Sequence, residues 1–257
     1  MDDSAERRRG WWRPVGVVAG IAILVIVLLA GVNLSRVSAI TSRAPAAETD
    51  VLEPSAPPVA TDESGGNQTT TSPVSPQWSQ RVAQATGIPQ RALLAYAGAD
   101  VMLRAQDPSC RIRWNTLAAI GAVESGHARH GGAVLDATGR AVPQIRGPRL
   151  DGSRTARIAD SDRGRLDGDT QWDRAVGPMQ FLPGTWRQWG RDGSGDGVAD
   201  PDQIDDAALT AAAYLCAAGG SLNTATGWTR AIWAYNHSDD YVAQVRRIAD
   251  QYAAAAA

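Results

Sequence analysis

The stretch Trp114-Asn115-Thr116-Leu117-Ala118-Ala119-Ile120-Gly121-Ala122-Val123-Glu124-Ser125-Gly126 is apolar at most positions and closes on a carboxylate, a hydroxyl and a glycine. Side chains on a helix turn by about 100° per residue, which sets Glu124 roughly 20° from Leu117 and roughly 40° from Ile120 on the wheel. The spacing predicts a helix over 114–125, stopped by Gly126, with an acid on its apolar stripe. Burial disfavours the charged form of a carboxyl and raises its pKa, the condition a general acid needs near neutral pH. A solvated helix end at Glu124 fits the same residues, and this segment alone leaves both readings open.

Outward from that helix, Ser79-Gln80-Arg81-Val82 reads as a helix start with Ser79 as its cap. Pro89 suits the first turn of a second helix that runs to about Ala105. Between His130 and Asp173 the pattern breaks into Gly, Arg and Asp with short apolar alternations such as Ala141-Val142-Pro143-Gln144-Ile145, which predicts loops or a small hairpin. Helical signals return at Pro183 to Trp189, Asp206 to Ala218, Trp228 to Tyr235 and Asp240 to Tyr252. With no repeat and no βαβ alternation, the expected class is mainly α (α+β), a helical domain with an irregular insertion.

The chain has 257 residues, 25 basic and 27 acidic; every basic residue is Arg. From Ser79 onward, 19 Arg face 19 Asp plus Glu, so nucleic acid is not an expected partner. A hydrophobic content of 44% against 20% charged excludes collagen-like, coiled-coil and wholly disordered classes. Arg7, Arg8, Arg9 and Arg13 mark residues 1–14 as a cytoplasmic basic segment ahead of an uncharged run over 15–32, with Trp11 and Trp12 at its entrance. That run is just long enough to span a bilayer, and the positive-inside rule puts everything after it outside. The favoured reading is a single-pass membrane anchor. Its rival is a signal segment cleaved near Ala39, which would release the protein. Residues 33–78, rich in Pro, Thr and Gly, lack the apolar surface to offset ordering entropy and read as a disordered tether. The exported domain is expected over 79–252. Outside the membrane, the pair Cys110 and Cys216 reads as a structural disulfide, with two buried free thiols as the other reading.

Two further segments bear on Glu124. Gly177-Pro178-Met179-Gln180-Phe181-Leu182-Pro183-Gly184-Thr185-Trp186 puts Met179, Gln180 and Phe181 on a turn entering a short helix, and Ala234-Tyr235-Asn236 puts a phenol and an amide at a helix end. Glu-Ser, then Gly-x-Met-Gln-Phe, then Ala-Tyr-Asn, in that order, resemble the signature of the soluble-lytic-transglycosylase, lysozyme-like superfamily. Continuation into Asp192-Gly193-Ser194-Gly195-Asp196-Gly197, Asp205-Asp206-Ala207-Ala208 and Tyr214-Leu215 is similar to the lytic murein transglycosylase B family, over roughly Ile112 to Tyr252.

That resemblance implies a lysozyme-like fold and a peptidoglycan glycan strand as substrate. The bond between N-acetylmuramic acid and N-acetylglucosamine would be cut to leave a 1,6-anhydro end, with Glu124 as acid and then base and no catalytic cofactor. Ser125, Met179, Gln180, Phe181, Tyr235 and Asn236 would hold or line the substrate. The acidic loop fits an EF-hand pattern, with Asp192, Ser194 and Asp196 at positions 1, 3 and 5 and the Val198 carbonyl at position 7. Position 12 is Gln203; in the family a slightly later Asp closes the loop, and Asp206 stands there, implying a structural calcium. A solvated acidic turn with Asp205 or Asp206 capping the next helix is the plainer reading.

His127 and His130 lack the His-Glu-x-x-His spacing of a zinc hydrolase and read as surface or rim histidines. Two other functions compete. A muramidase would add water and want a second carboxylate, for which the aspartates of the 130–173 region are available. A non-catalytic peptidoglycan-binding module would have little use for a buried acid.

Overall fold

A computed structural model describes residues 53–59 and 73–257. The anchor expected over 15–32 and most of the expected tether lie outside the described residues. No helix among the described residues is long and apolar enough to cross a membrane.

Among the described residues seven α-helices carry the fold: α1 (Pro76–Thr86), α2 (Gln90–Gln106), α3 (Trp114–Ser125), α4 (Pro183–Trp189), α5 (Ile204–Gly219), α6 (Ala225–Tyr235) and α7 (Asp239–Ala255). Between α3 and α4 lies the irregular insertion, whose one antiparallel hairpin pairs β1 (Val134–Leu135) with β2 (Ala141–Val142). The mainly α class with a small hairpin is borne out. Helix α3 sits at the centre, packed against α2, α5 and α7. Every residue from Trp114 to Gly121 is buried, so the helix has no solvated face over its first two turns and the apolar stripe is wider than the wheel suggests.

Burial on all sides makes unpaired polar groups on α3 costly, and most find partners, the Trp114 indole nitrogen being an exception. The Asp100 carboxylate of α2 accepts from the Trp114 amide at 2.9 Å, doing the capping that Arg113 does not. Asn115 donates to the Ala249 carbonyl at 3.0 Å, and the Thr116 hydroxyl accepts from the Trp228 indole at 3.0 Å. At the far end Gly126, in the left-handed region at φ 59°, lets its own amide and that of His127 bond the Ala122 and Gly121 carbonyls. The Cys110–Cys216 disulfide is formed, tying the segment before α3 to α5 across 106 residues.

Helix α1 begins four residues before the expected start. Pro76 occupies its first turn and the Ser75 hydroxyl accepts from the Trp78 amide, so Ser75 is the cap. Ser79 is instead buried inside the helix, donating to the Pro76 carbonyl and accepting from Gln90. Within the stretch assigned to the tether, Val74 and Trp78 are buried in the core and Glu53 pairs with Arg113 at 3.3 Å.

Candidate active site

The turn at Gly177 to Phe181 is drawn closed by reciprocal bonds between Val176 and Phe181, at 2.8 and 3.0 Å. Gly177 has φ 75°, and a Cβ there would meet the Pro201 carbonyl oxygen at 1.8 Å, so backbone runs against backbone and only glycine fits. Two side chains grip the apex from opposite sides. Ser125, at the end of α3, donates to the Pro178 carbonyl at 2.6 Å, and Tyr235, at the end of α6, donates to the Met179 carbonyl at 2.7 Å. The turn is thereby fastened between the two helices that carry Glu124 and Asn236.

Glu124, one residue before Ser125, is half-buried. Its Oε1 accepts a 2.6 Å hydrogen bond from the Tyr241 hydroxyl in the first turn of α7. Burial pushes the carboxyl up to about 7, against the opposing pull of the Tyr241 bond, which favours the anion. The phenols of Tyr235 and Tyr241 are pushed up by burial and then by the Glu124 charge, so both remain protonated donors. The acid on the apolar helix thus has the environment its sequence position implies. Tyr241 was not anticipated. Its place on the buried Tyr241, Val245, Ala249 face of α7 is legible from spacing, but its partner lies 117 residues away and leaves no local mark.

The residues expected to line the substrate divide. Met179 and Phe181 are buried in the core, Phe181 edge-to-face with Trp186 and Tyr235. They pack beneath the turn and line no open groove, their apolar surface being buried against the core. Ser125 is likewise buried, and its hydroxyl is committed to Pro178 and to the Ala128 amide. Gln180, at φ 50°, folds its amide back onto the Gly177 carbonyl at 2.8 Å. Asn236 remains half-buried with its Oδ1 sequestered and without a partner, and the neighbouring His237 Nδ1 is in the same state. Trp233, 43% exposed, packs edge-to-face on His237 with centroids 4.2 Å apart. The exposed Trp233 indole presents a flat face of the kind a sugar stacks on, whereas the two unpartnered atoms are closed to solvent.

His127 is a correction. It is buried, not on the rim; its Nδ1 meets Tyr96 Oη at 3.2 Å and its Nε2 meets Tyr252 Oη at 3.0 Å. Burial and then the Arg129 charge depress it to about 4, so the ring is neutral and structural. His130 is exposed as expected.

In the acidic loop, Asp192 accepts from the amides of Gly195 and Gly197, Asp196 from Val198, and Asp206 from Gly193, Ser194 and Asp200. The cap of α5 is Gln203, whose side chain accepts from the Asp205 amide, and not Asp205 or Asp206. The donor set offers only oxygens, as a hard cation requires, and a carboxylate oxygen has two lone pairs. Asp206 Oδ1 has used both of its own, whereas Asp192 Oδ2 and Asp206 Oδ2 each keep one and Asp196 lends only Oδ1. The residues fit calcium in chemistry, but Asp192, Asp196 and Asp206 do not bring one carboxylate oxygen each within 4.8 Å of one another, and the closing carboxylate is partly committed to the loop itself.

Residues 155–229 match the family described as the transglycosylase SLT domain. The matched segment contains the Gly177–Phe181 turn, α4, the acidic loop and α5; Glu124 and Tyr241 lie outside it. Two solved structures are similar. SltB3 from Pseudomonas aeruginosa, in complex with NAG-anhNAM-pentapeptide, is 16% identical with a TM-score of 0.41 over 70% of this chain and 67% of that one. The Escherichia coli lytic transglycosylase Slt35, in complex with bulgecin A, is 15% identical with a TM-score of 0.41 over 74% of this chain and 81% of that one. No curated protein matches the chain.

Proposed function

We propose that the chain, whose residues 155–229 match the transglycosylase SLT domain, cleaves the N-acetylmuramic acid to N-acetylglucosamine bond of peptidoglycan with Glu124 as its acid and base. The observation that carries the proposal is the half-buried Glu124 carboxyl, raised to about 7 and oriented by Tyr241. Protonated Glu124 donates to the glycosidic oxygen as the bond from C1 to that oxygen breaks. The muramyl acetamide stabilises the cationic centre, as in substrate-assisted glycosidases. The muramyl 6-hydroxyl oxygen then bonds C1, its proton returns to Glu124, and the 1,6-anhydro ring closes with no water consumed. Burial alone raises the Glu124 carboxyl, and the Tyr241 bond works against it.

The exposed Trp233 indole offers a face for sugar stacking; Asn236 would have to turn its sequestered Oδ1 outward to accept from a sugar, and the Tyr235 hydroxyl is spent on Met179. Mass analysis of products from purified cell-wall glycan tests the reading. Anhydro ends support it; reducing ends would assign a muramidase, and intact glycan a binding module.

Calcium at Asp192, Ser194, Asp196, the Val198 carbonyl and Asp206 belongs to the same proposal. It would brace the loop beside the Gly177 turn and take no part in bond cleavage. Chelator should then lower the melting temperature, and an Asp192→Asn variant should lose part of that response. The disulfide suits an oxidising compartment, consistent with a domain held outside the cytoplasmic membrane by the segment 15–32.

A further inference from the structure

A second acidic cluster lies in the insertion, apart from both the Glu124 site and the acidic loop. One oxygen from each of Asp160, Asp162 and Asp173 lies within 4.8 Å of the others, and this is the group of acid, His or Cys side chains among the described residues close enough to share an ion. Asp162 is 6% exposed and Asp173 2%. Among the described residues none of the three is in an ion pair, whereas Asp169 nearby is matched by Arg149 and Arg174. Asp173 spends an oxygen each on the Ser161 amide and hydroxyl, and Asp160 Oδ1 accepts from the amides of Asp162 and Gly164. Asp162 Oδ2 accepts from the Leu166 amide, but its Oδ1 is fully sequestered with no partner. A buried carboxylate oxygen left unpaired beside two further carboxylates lacks the positive charge that burial demands.

We propose that Asp160, Asp162 and Asp173, the second of which contributes a side chain to the cluster and keeps a buried, unpartnered Oδ1, bind a hard divalent cation, calcium. Oxygens no more than 4.8 Å apart can all reach an ion at the Ca2+–O distance of about 2.3–2.6 Å, and an all-oxygen set excludes the softer metals. The ion closes a chain excursion whose two ends already meet through the Asp160 amide on the Gln171 carbonyl and the Asp173 amide on the Ile158 carbonyl. From there it reaches the site's scaffold: the Ser161 carbonyl accepts from Arg187 of α4, and Asp173 leads directly into the segment that enters the Gly177 turn.

The test is calcium binding by the full-length protein in detergent, stripped with chelator and titrated with CaCl2, with MgCl2 as the comparison cation, followed by equilibrium dialysis and melting temperature. Asp162→Asn should lose one bound equivalent and part of the calcium-induced rise in melting temperature. It should melt no lower than wild type without the ion, since a like charge has been removed. Asp192→Asn should keep the equivalent that Asp162→Asn loses, which separates this site from the acidic loop. Should Asp162→Asn fail to fold, Asp160→Asn, at the more exposed edge of the cluster, reads the same loss. Wild type taking up no calcium, or Asp162→Asn and Asp160→Asn binding as much as wild type, would overturn the proposal, as would a site filled by magnesium and indifferent to calcium.

Discussion

The Tyr241 hydroxyl donates to Glu124 Oε1 at 2.6 Å, joining the first turn of the last helix to the end of the central one. Two opposing influences therefore meet on one carboxyl: burial raises its proton affinity and the phenol lowers it. Removing the phenol isolates the first. A hydrogen bond to a charged group nets about 1.5–3 kcal/mol, and 1.36 kcal/mol is one pKa unit. For a half-buried pair Tyr241→Phe should thus move the basic limb of the pH–rate profile upward by about one unit. A limb that stays in place would show that the bond does not act on the ionised acid.

Glu124→Gln should abolish turnover while glycan binding persists, and it carries a stability signature as well. The folded protein retains a proton on Glu124 between pH 4.5 and about 7 that the unfolded chain has released. Wild-type stability therefore declines as pH rises through that window and stays reduced above it. Glutamine has no charge to bury, so the variant should melt higher than wild type at pH 8 and equal to it near pH 4. Retained lytic activity in Glu124→Gln would remove the proposed mechanism; a pH-independent melting difference would remove the burial argument.

How far sequence carries depends on whether the decisive contacts are local. Helices α3 and α4 were legible to the residue because Gly126, Pro183 and Gly190 punctuate them. The start of α1 was misplaced because two serines compete as caps, and Pro76, counted with the tether, is its N1 residue. Glu124 could be picked out from one helical wheel. Tyr241 and the Tyr96–His127–Tyr252 chain could not, since each joins residues far apart along the sequence. The insertion was opaque for the same reason. It is fixed by long-range pairs such as Arg146 on Asp202 and Arg149 on Asp169, and by Gln203 on the Thr138 carbonyl.

Ser125→Ala separates a structural from a substrate-holding serine. The hydroxyl bridges the Pro178 carbonyl and the Ala128 amide inside the protein, and leaving such groups unpaired costs about 1–3 kcal/mol. Chemical denaturation should show that loss, with kcat reduced through a looser turn and KM for glycan unchanged. A raised KM at unchanged stability would return Ser125 to the substrate.

Gly177→Ala probes the turn itself. An alanine must adopt φ 75° and place its methyl 1.8 Å from the Pro201 carbonyl oxygen, a backbone atom that cannot swing aside. Strain and overpacking act together, so the expected cost exceeds about 3 kcal/mol. Because the turn is held by Ser125 and Tyr235, its displacement should also release the helix ends bearing Glu124 and Asn236, and activity should fall further than the folded fraction does. Activity that tracks the folded fraction one for one would mean that the turn stabilises the domain without positioning the acid.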